Sequence, residues 1–105
     1  MTTVTISSKD GSITGFTCKG HSGYAEEGSD IVCSAVSILT TTCVNALESV
    51  AGIVPKVKVG SGLLEARISD TENHDAQVIF RTMIQGLSDI AEEYPRYVRL
   101  ISSDK

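Results

Sequence analysis

The hydrophobic pattern of this chain limits its fold most, because it switches twice from a period of two residues to a period near 3.6. A period of two is typical of half-buried β-strands. The Asp10-Gly11 turn joins the first two alternating segments, and Gly60-Ser61-Gly62 joins the second two. Each pair is therefore predicted to form a hairpin. The predicted strands are residues 3–7, 13–18, 57–59 and 64–68.

Apolar residues at steps of three and four predict two helices, one from Asp30 to about Ala51 and one from about His74 to Glu93. Ser29 or Asp30 suits the N-cap of the first helix, and a last strand is predicted from Tyr97 to Ile101. The two predicted apolar stripes are Val32, Val36, Leu39, Cys43, Leu47 and Val50, and Phe80, Met83, Ile84, Leu87, Ile90 and Ala91. The order ββαββαβ predicts one α+β domain over residues 1–105, with two helices packed on one mostly antiparallel sheet.

Charge and composition exclude several classes of function. The net charge is −4 and only nine residues are Lys or Arg, which argues against direct nucleic-acid binding. No apolar run approaches the ~20 residues of a membrane span, so no membrane contact is expected. Residues 1–6 lack the pattern of a signal peptide, and a cytoplasmic location is expected.

The chain has three cysteines, Cys18, Cys33 and Cys43, and no C-x-x-C motif. An odd number without close pairing argues against a disulfide framework, and the missing motif argues against a structural zinc site. We therefore expect no metal and no cofactor, and any cysteine function has to come from a thiol.

The first predicted helix separates two of these cysteines. Cys43 lies about 20° from Val32 around the helix axis, on the apolar stripe, and is interpreted as a buried hydrophobe. Cys18, near Phe16 in a strand, has the same structural interpretation. Cys33 lies instead on a more polar face with Ser37, Thr40 and Thr41. If the cap is Ser29 or Asp30, Cys33 is in the first turn, where the helix dipole favours a thiolate.

His21 is the candidate base for such a thiolate. It lies between Gly20 and Gly23, directly after a predicted strand, and residues 19–29 form a loop that allows His21 and Cys33 to meet. Gly20, Gly23 and Gly28 give that loop backbone freedom. The other histidine, His74, begins a helix among polar residues and is interpreted as a surface or capping residue. Asp30 has two open roles, as a cap of the first helix or as a residue that orients His21.

Two segments carry a resemblance to a known family. Gly20-His21-Ser22-Gly23-Tyr24-Ala25 and Gly28-Ser29-Asp30-Ile31-Val32-Cys33-Ser34-Ala35-Val36-Ser37 closely resemble the signature of the ribosomal-processing cysteine proteases, the Prp family. The resemblance extends over nearly the whole chain and includes the order of elements. The family more often has Ala where this chain has Ser34.

The resemblance implies a function and a site. Members of the family are hydrolases that remove an N-terminal extension from large-subunit ribosomal protein twenty-seven, after an aromatic residue. By the match, His21 is the general base and Cys33 the nucleophile, and Asp30 and Ser37 support the site. Backbone N–H groups near Cys33 and Ser34 are expected to stabilise the oxyanion. The loop is expected to be mobile and to order over substrate, and the protein to be a homodimer.

Glu26 and Glu27 are the candidate substrate-binding residues, because the resemblance implies a substrate rich in Lys after the cleavage point. The alternative is that these glutamates only keep a loop solvated. Two rival functions also stay open for the whole chain. One is a non-catalytic ribosome-associated interaction module, and the other is a redox sensor that uses Cys33.

Overall fold

The computed structural model describes residues 1–20 and 29–104. Within these residues the elements follow the predicted order, with bounds that differ from the predicted ones by a few residues at most. They are β1 Thr2–Lys9, β2 Ser12–Lys19, α1 Ser29–Ser49, β3 Lys56–Gly60, β4 Leu63–Arg67, α2 His74–Glu93 and β5 Val98–Asp104. The strands form one sheet in the order β3-β4-β2-β1-β5. Its pairs are antiparallel except β1 with β5, which is parallel, so the α+β prediction is confirmed.

The first hairpin is fixed by its turn. Asp10 and Gly11 have φ values of 53° and 84°, so both lie in the left-handed region. A two-residue turn of this kind matches the twist of the strands that it joins. Lys9 consequently pairs with Ser12, and the register places Ile6 opposite Phe16 and Val4 opposite Cys18.

The core lies between the helices and one face of the sheet. Val4, Ile6 and Phe16 are buried from the sheet side. The core residues contributed by the helices are Val32, Val36, Cys43 and Leu47 of α1, and Ala76, Phe80, Met83 and Leu87 of α2. The helix stripes predicted from the sequence are largely confirmed. Val50 is the exception, since 64% of it is exposed. It follows the last residue of α1, so the helical spacing no longer applies to it.

The start of α2 is held by Asn73, which is its N-cap. The Asn73 side chain accepts from the Ala76 N–H at 3.0 Å and donates to the Ala51 carbonyl at 3.1 Å. These two bonds connect the end of α1 to the start of α2. His74 is the first residue of α2 and is exposed, which confirms its surface interpretation; the capping role belongs to its neighbour.

The second hairpin forms as predicted, but its first strand is not half-buried. All five residues of β3 are exposed, including Val57 at 44% and Val59 at 75%. The pattern predicted a covered face because Val57 and Val59 alternate with lysines. β3 is an edge strand, and the helices leave it uncovered. This uncovered strand forms part of one wall of the candidate site.

Residues Ile31–Ser49 of α1 are long and apolar enough to cross a membrane by length and composition alone. The sequence led us to expect no such segment. In the fold its stripe of Val32, Val36, Cys43 and Leu47 is buried in the core. The core helix of a folded domain can be as long and as apolar as a membrane span. Here the buried stripe accounts for the apolar character of α1.

The Cys43 thiol gives a prediction about alkaline stability. Burial raises the pKa of Cys43 to about 12, whereas an unfolded thiol ionises near ~8.5. The folded thiol keeps its proton after the unfolded chain has lost it, so the stability from this group is lost as the pH rises above about 9. We expect Cys43→Ala to lower the free energy of unfolding by about 1–2 kcal/mol at neutral pH.

The same variant should lose stability less steeply than the wild type between about pH 9 and 11, by up to ~1.4 kcal/mol per pH unit. Urea unfolding at several pH values measures both effects. If the free energy of unfolding falls equally steeply with pH in the variant and the wild type, the pKa of Cys43 is not raised in the folded protein.

Candidate active site

An open cavity of about 480 Å³ lies between α1 and the sheet, at the side where β3 is uncovered. Its α1 wall consists of Cys33, Val36, Ser37, Thr40, Thr41 and Val44. Its sheet wall consists of Thr2, Cys18, Gly20, Val57, Val59, Gly62, Leu63 and Leu64. Most of this surface is aliphatic, so the cavity is suited to an apolar side chain or an extended peptide.

Cys33 is half-buried in the α1 wall. The sequence predicted that it lies in the first turn of the helix. Because α1 begins at Ser29, Cys33 is its fifth residue and starts the second turn. Its backbone N–H, like that of Ser34, therefore lies inside the helical hydrogen-bond pattern. The N–H groups without a helical partner belong to the first turn, ahead of Cys33.

Ser37 and Ser34 are placed differently with respect to the cavity. Ser37 is one turn after Cys33 and lines the cavity with it. Ser34 is exposed and is not part of the lining. Thr40 was predicted on the polar face, yet it is only 1% exposed. Its hydroxyl donates to the Val36 carbonyl at 2.9 Å, and this bond allows a threonine to be packed there.

Cys18 is a site residue that sequence reasoning missed. It was interpreted as structural, but the thiol of this β2 residue lines the same cavity as Cys33. Burial raises the pKa of Cys18 first, and the nearby charge of Cys33 raises it further. Cys18 is therefore held in its neutral form beside Cys33. The signal available in the sequence was the alternation of Phe16 and Cys18, which puts both on the helix side of β2.

Gly20 directly follows β2 and lies at the rim of the cavity. Its φ is 100°, its N–H donates to the Gly62 carbonyl at 2.9 Å, and an added Cβ would strike the Met1 carbonyl oxygen. Glycine is thus required here both by the backbone conformation and by the close approach of residue 1. In the sequence Gly20 directly precedes His21, the candidate base.

Several predicted site residues lie outside the described residues: His21, Gly23, Glu26, Glu27 and Gly28. The backbone of Asp30 belongs to the start of α1, and its side chain is not described. The structure thus brings together Cys33, Ser37 and Gly20, with Cys18 added.

The described arrangement is suited to thiol chemistry. A half-buried thiol faces an apolar cavity open on one side, which is what a nucleophile needs to reach a bound peptide. None of the described residues of the lining carries a basic side chain, so a base has to come from beyond them. Among residues 1–20 and 29–104 no group of three or more His, Cys, Asp or Glu could hold a metal ion.

Comparison with known proteins gives one consistent result. The family model described as cysteine protease Prp matches residues 1–99. The ribosomal processing cysteine protease Prp of Staphylococcus aureus (strain NCTC 8325 / PS 47) is 36% identical over 103 residues, which cover 95% of this chain and 97% of that protein. The protein of the same name from Bacillus subtilis (strain 168) is 28% identical over 102 residues, covering 91% of each chain.

Solved structures agree. The crystal structure of an essential ribosomal processing protease Prp from S. aureus, in complex with a substrate peptide, matches with a TM-score of 0.92 at 34% identity. The crystal structure of the S. aureus protease with a covalently linked product peptide matches with a TM-score of 0.89 at 35% identity. Each match covers 98% of this chain and 100% of the other.

The contact at Gly20 gives a prediction about stability. Gly20→Ala adds a Cβ that meets the Met1 carbonyl, whereas Gly52→Ala at a φ of 72° adds one with no atom within 4 Å. Both changes carry the left-handed penalty of about 1–2 kcal/mol. We expect Gly20→Ala to cost a further ~1–3 kcal/mol, because backbone atoms have to shift. Urea denaturation of both variants measures the difference. Equal losses of unfolding free energy would show that the Met1 carbonyl moves aside without any loss of stability.

Proposed function

This chain belongs to the cysteine protease Prp family and is a cysteine protease, and from that premise we propose that it matures a ribosomal protein precursor. The proposed reaction removes the N-terminal extension of large-subunit ribosomal protein twenty-seven by cleavage after an aromatic residue. One observation carries the proposal: Cys33 lines an apolar cavity in a fold that matches, over 98% of this chain, a relative crystallised with a substrate peptide. The cavity supplies both the nucleophile and an aliphatic site for the residue before the scissile bond.

In the proposed mechanism the Cys33 sulfur attacks the scissile carbonyl carbon, and His21 takes the thiol proton. His21 then gives that proton to the leaving amine, which releases the mature protein and leaves an acyl-enzyme. Water, deprotonated by His21, attacks the thioester, and the Cys33 thiol is restored. Asp30 and Ser37 support the pair of Cys33 and His21, and Ser34 is the next residue in the chain after Cys33. The oxyanion donors come from ahead of Cys33, since the N–H groups of Cys33 and Ser34 are used within α1.

The neutral state of Cys18 supports the assignment of Cys33 as nucleophile. Two thiols line the cavity, but burial and the charge of Cys33 both oppose ionisation of Cys18. The thiolate is the reactive form of cysteine. The raised pKa of Cys18 therefore makes it the weaker candidate for the nucleophile.

Further proposals concern recognition and assembly. Glu26 and Glu27 attract the basic segment that follows the cleavage point, and Gly20, Gly23 and Gly28 let their loop order over the bound peptide. The protein acts in the cytoplasm as a homodimer. The dimer is supported by the resemblance and by the two open edges, β3 and β5, of the sheet formed by the described strands.

Substitution of the proposed catalytic pair gives a direct test. Cys33→Ala, Cys33→Ser and His21→Ala should each abolish cleavage of a synthetic peptide that spans the extension and the mature N-terminus. The first two remove the proposed nucleophile and the third removes the proposed base, and none of the described lining residues supplies a base in its place. Mass spectrometry of the peptide after incubation measures the product. The fold should survive, as shown by an unchanged urea midpoint.

His74→Ala is the matched control for the histidine, since His74 is exposed at the start of α2. It should cleave at the wild-type rate. Full activity in Cys33→Ala would overturn the protease mechanism and favour the non-catalytic interaction module. Full activity in His21→Ala would show that another group acts as base.

Filling the cavity tests the proposed site for the aromatic residue. Val44 is half-buried and lines the cavity, so Val44→Phe occupies space that the substrate ring would need. We expect kcat/KM to fall at least about tenfold for a peptide with an aromatic residue before the scissile bond. A peptide with alanine there should be affected much less. Val78→Phe, on the exposed outer side of α2, is the control. Equal losses for both peptides would place the aromatic residue elsewhere.

A further inference from the structure

The face of the sheet turned away from the helices is strongly basic. We call it the open face and define it by Thr3, Thr5, Thr17, Lys19, Lys56, Lys58, Glu65, Arg67 and Arg99. Side chains alternate along a strand, so these residues lie opposite the buried positions Val4, Phe16 and Ala66. The bonds that Glu65 accepts from Thr17 and Arg67 confirm that the three side chains share this face.

The open face has a charge opposite to that of the whole chain. It holds five of the nine lysines and arginines but, among the described acidic side chains, only Glu65. Its net charge is therefore +4 in a chain of net charge −4. Seven other described acidic residues belong to the helices or to the segment before α2: Glu48, Asp70, Glu72, Asp75, Asp89, Glu92 and Glu93.

The basic side chains form one group on β3 and β4, and two more lie on the central strand β2 and on the edge strand β5. Lys56 lies directly opposite Arg67 on the β3–β4 pair, and Lys58 follows on β3. Lys19 and Arg99 both flank Thr3, on β2 and β5 respectively. At about 4.8 Å between strands, the face spans roughly 19 Å from β3 to β5. All five basic residues are exposed.

Three threonines on β2 and β1 lie between the β3–β4 group and Arg99, and Lys19 lies beside Thr17 and Thr3. Thr17 and Thr5 are paired neighbours on β2 and β1, and Thr3 lies two residues from Thr5 on the same face. Exposed apolar area on this face is small, with Ile101 at 38% exposure. A surface that inserts into lipid needs several large apolar side chains beside its basic residues. The open face lacks this combination and instead pairs cations with hydroxyls.

We propose that the open face binds the phosphate backbone of double-stranded RNA. An A-form duplex presents a wide, shallow minor groove in which 2′-hydroxyls lie between two rows of phosphates. The β3–β4 group and Arg99 match the two phosphate rows, and the three threonines, with Lys19 beside them, match the groove that holds the 2′-hydroxyls. The expectation of no direct nucleic-acid contact was drawn from the net charge of the whole chain, whereas the proposal rests on the local charge of this face.

The proposed RNA contact leaves the protease site accessible. Cys33 and its cavity lie on the helix side of the sheet, whereas the duplex would lie on the other side. The proposal is independent of which peptide is cleaved. The RNA contact would hold the protease on RNA while a protein substrate occupies the cavity.

Fluorescence anisotropy with a labelled RNA duplex of about 20 base pairs tests the proposal. For three to four phosphate contacts, log K should fall with log salt concentration with a slope of about −3. The variant Lys56→Glu with Lys58→Glu should lower the affinity at least about tenfold and reduce the slope by about two. Cleavage of the peptide by this variant should stay at the wild-type rate, which also shows that it is folded.

The matched control is Arg81→Glu with Arg96→Glu, which changes the net charge by the same amount at exposed positions off the open face. It should bind the duplex within about threefold of the wild type. Equal losses in the two double variants would show that binding follows net charge, and the proposal would be wrong. If Lys56→Glu with Lys58→Glu does not fold, Lys19→Glu with Arg99→Glu tests the basic residues on β2 and β5 with the same expected loss.

Vesicles that contain phosphatidylserine provide the competing phosphate source. We expect no cosedimentation of the protein with them at a salt concentration where the duplex is bound. Binding to the vesicles without binding to the duplex would assign the face to a membrane surface and overturn the proposal.

Discussion

The packing of two helices on a five-stranded sheet leaves one strand uncovered, and the candidate site depends on this. Both helices bury their stripes against the inner strands, where Val4, Phe16 and Ala66 are almost completely enclosed. β3 lies beyond them, with all its residues exposed. The space between α1 and β3 is the cavity that Cys33 lines. A third helix over β3 would make a larger core and remove the site.

The sequence predicted the elements closely because their signals are local. A period of two, a period near 3.6 and an Asp-Gly turn all act within a few residues, and α2 was predicted at its observed bounds from His74 to Glu93. The errors came where a distant part of the chain decides. Val57 and Val59 have the pattern of a half-buried strand, but whether a helix covers them depends on the strand order. The error at Thr40 has a local cause instead, since its hydroxyl donates to the Val36 carbonyl four residues earlier and a polar side chain can therefore be buried there.

The site was predicted only in part for the same reason. Cys33 was identified from its position on α1 and from its resemblance to a family signature, and Gly20 from its place before His21. Cys18 was missed because nothing near it in the sequence indicates a partner. The place of Cys18 in the cavity follows from the sheet register, which puts this residue on the helix side of β2. Burial at that place raises the pKa of Cys18 above its usual value, which makes Cys18 a poorer nucleophile at neutral pH.

β3 shows how closely the two faces of the sheet are connected. Val57 and Val59 line the cavity, and Lys56 and Lys58, one residue away in each case, belong to the open face. A shift of one residue in the pairing of β3 with β4 would turn the lysines toward Cys33 and the valines toward the proposed RNA. Register is fixed by the short Ser61-Gly62 turn, because Gly60 and Leu63 pair directly across it. One five-residue edge strand therefore sets the character of both surfaces, apolar on the side of the thiol and basic on the other.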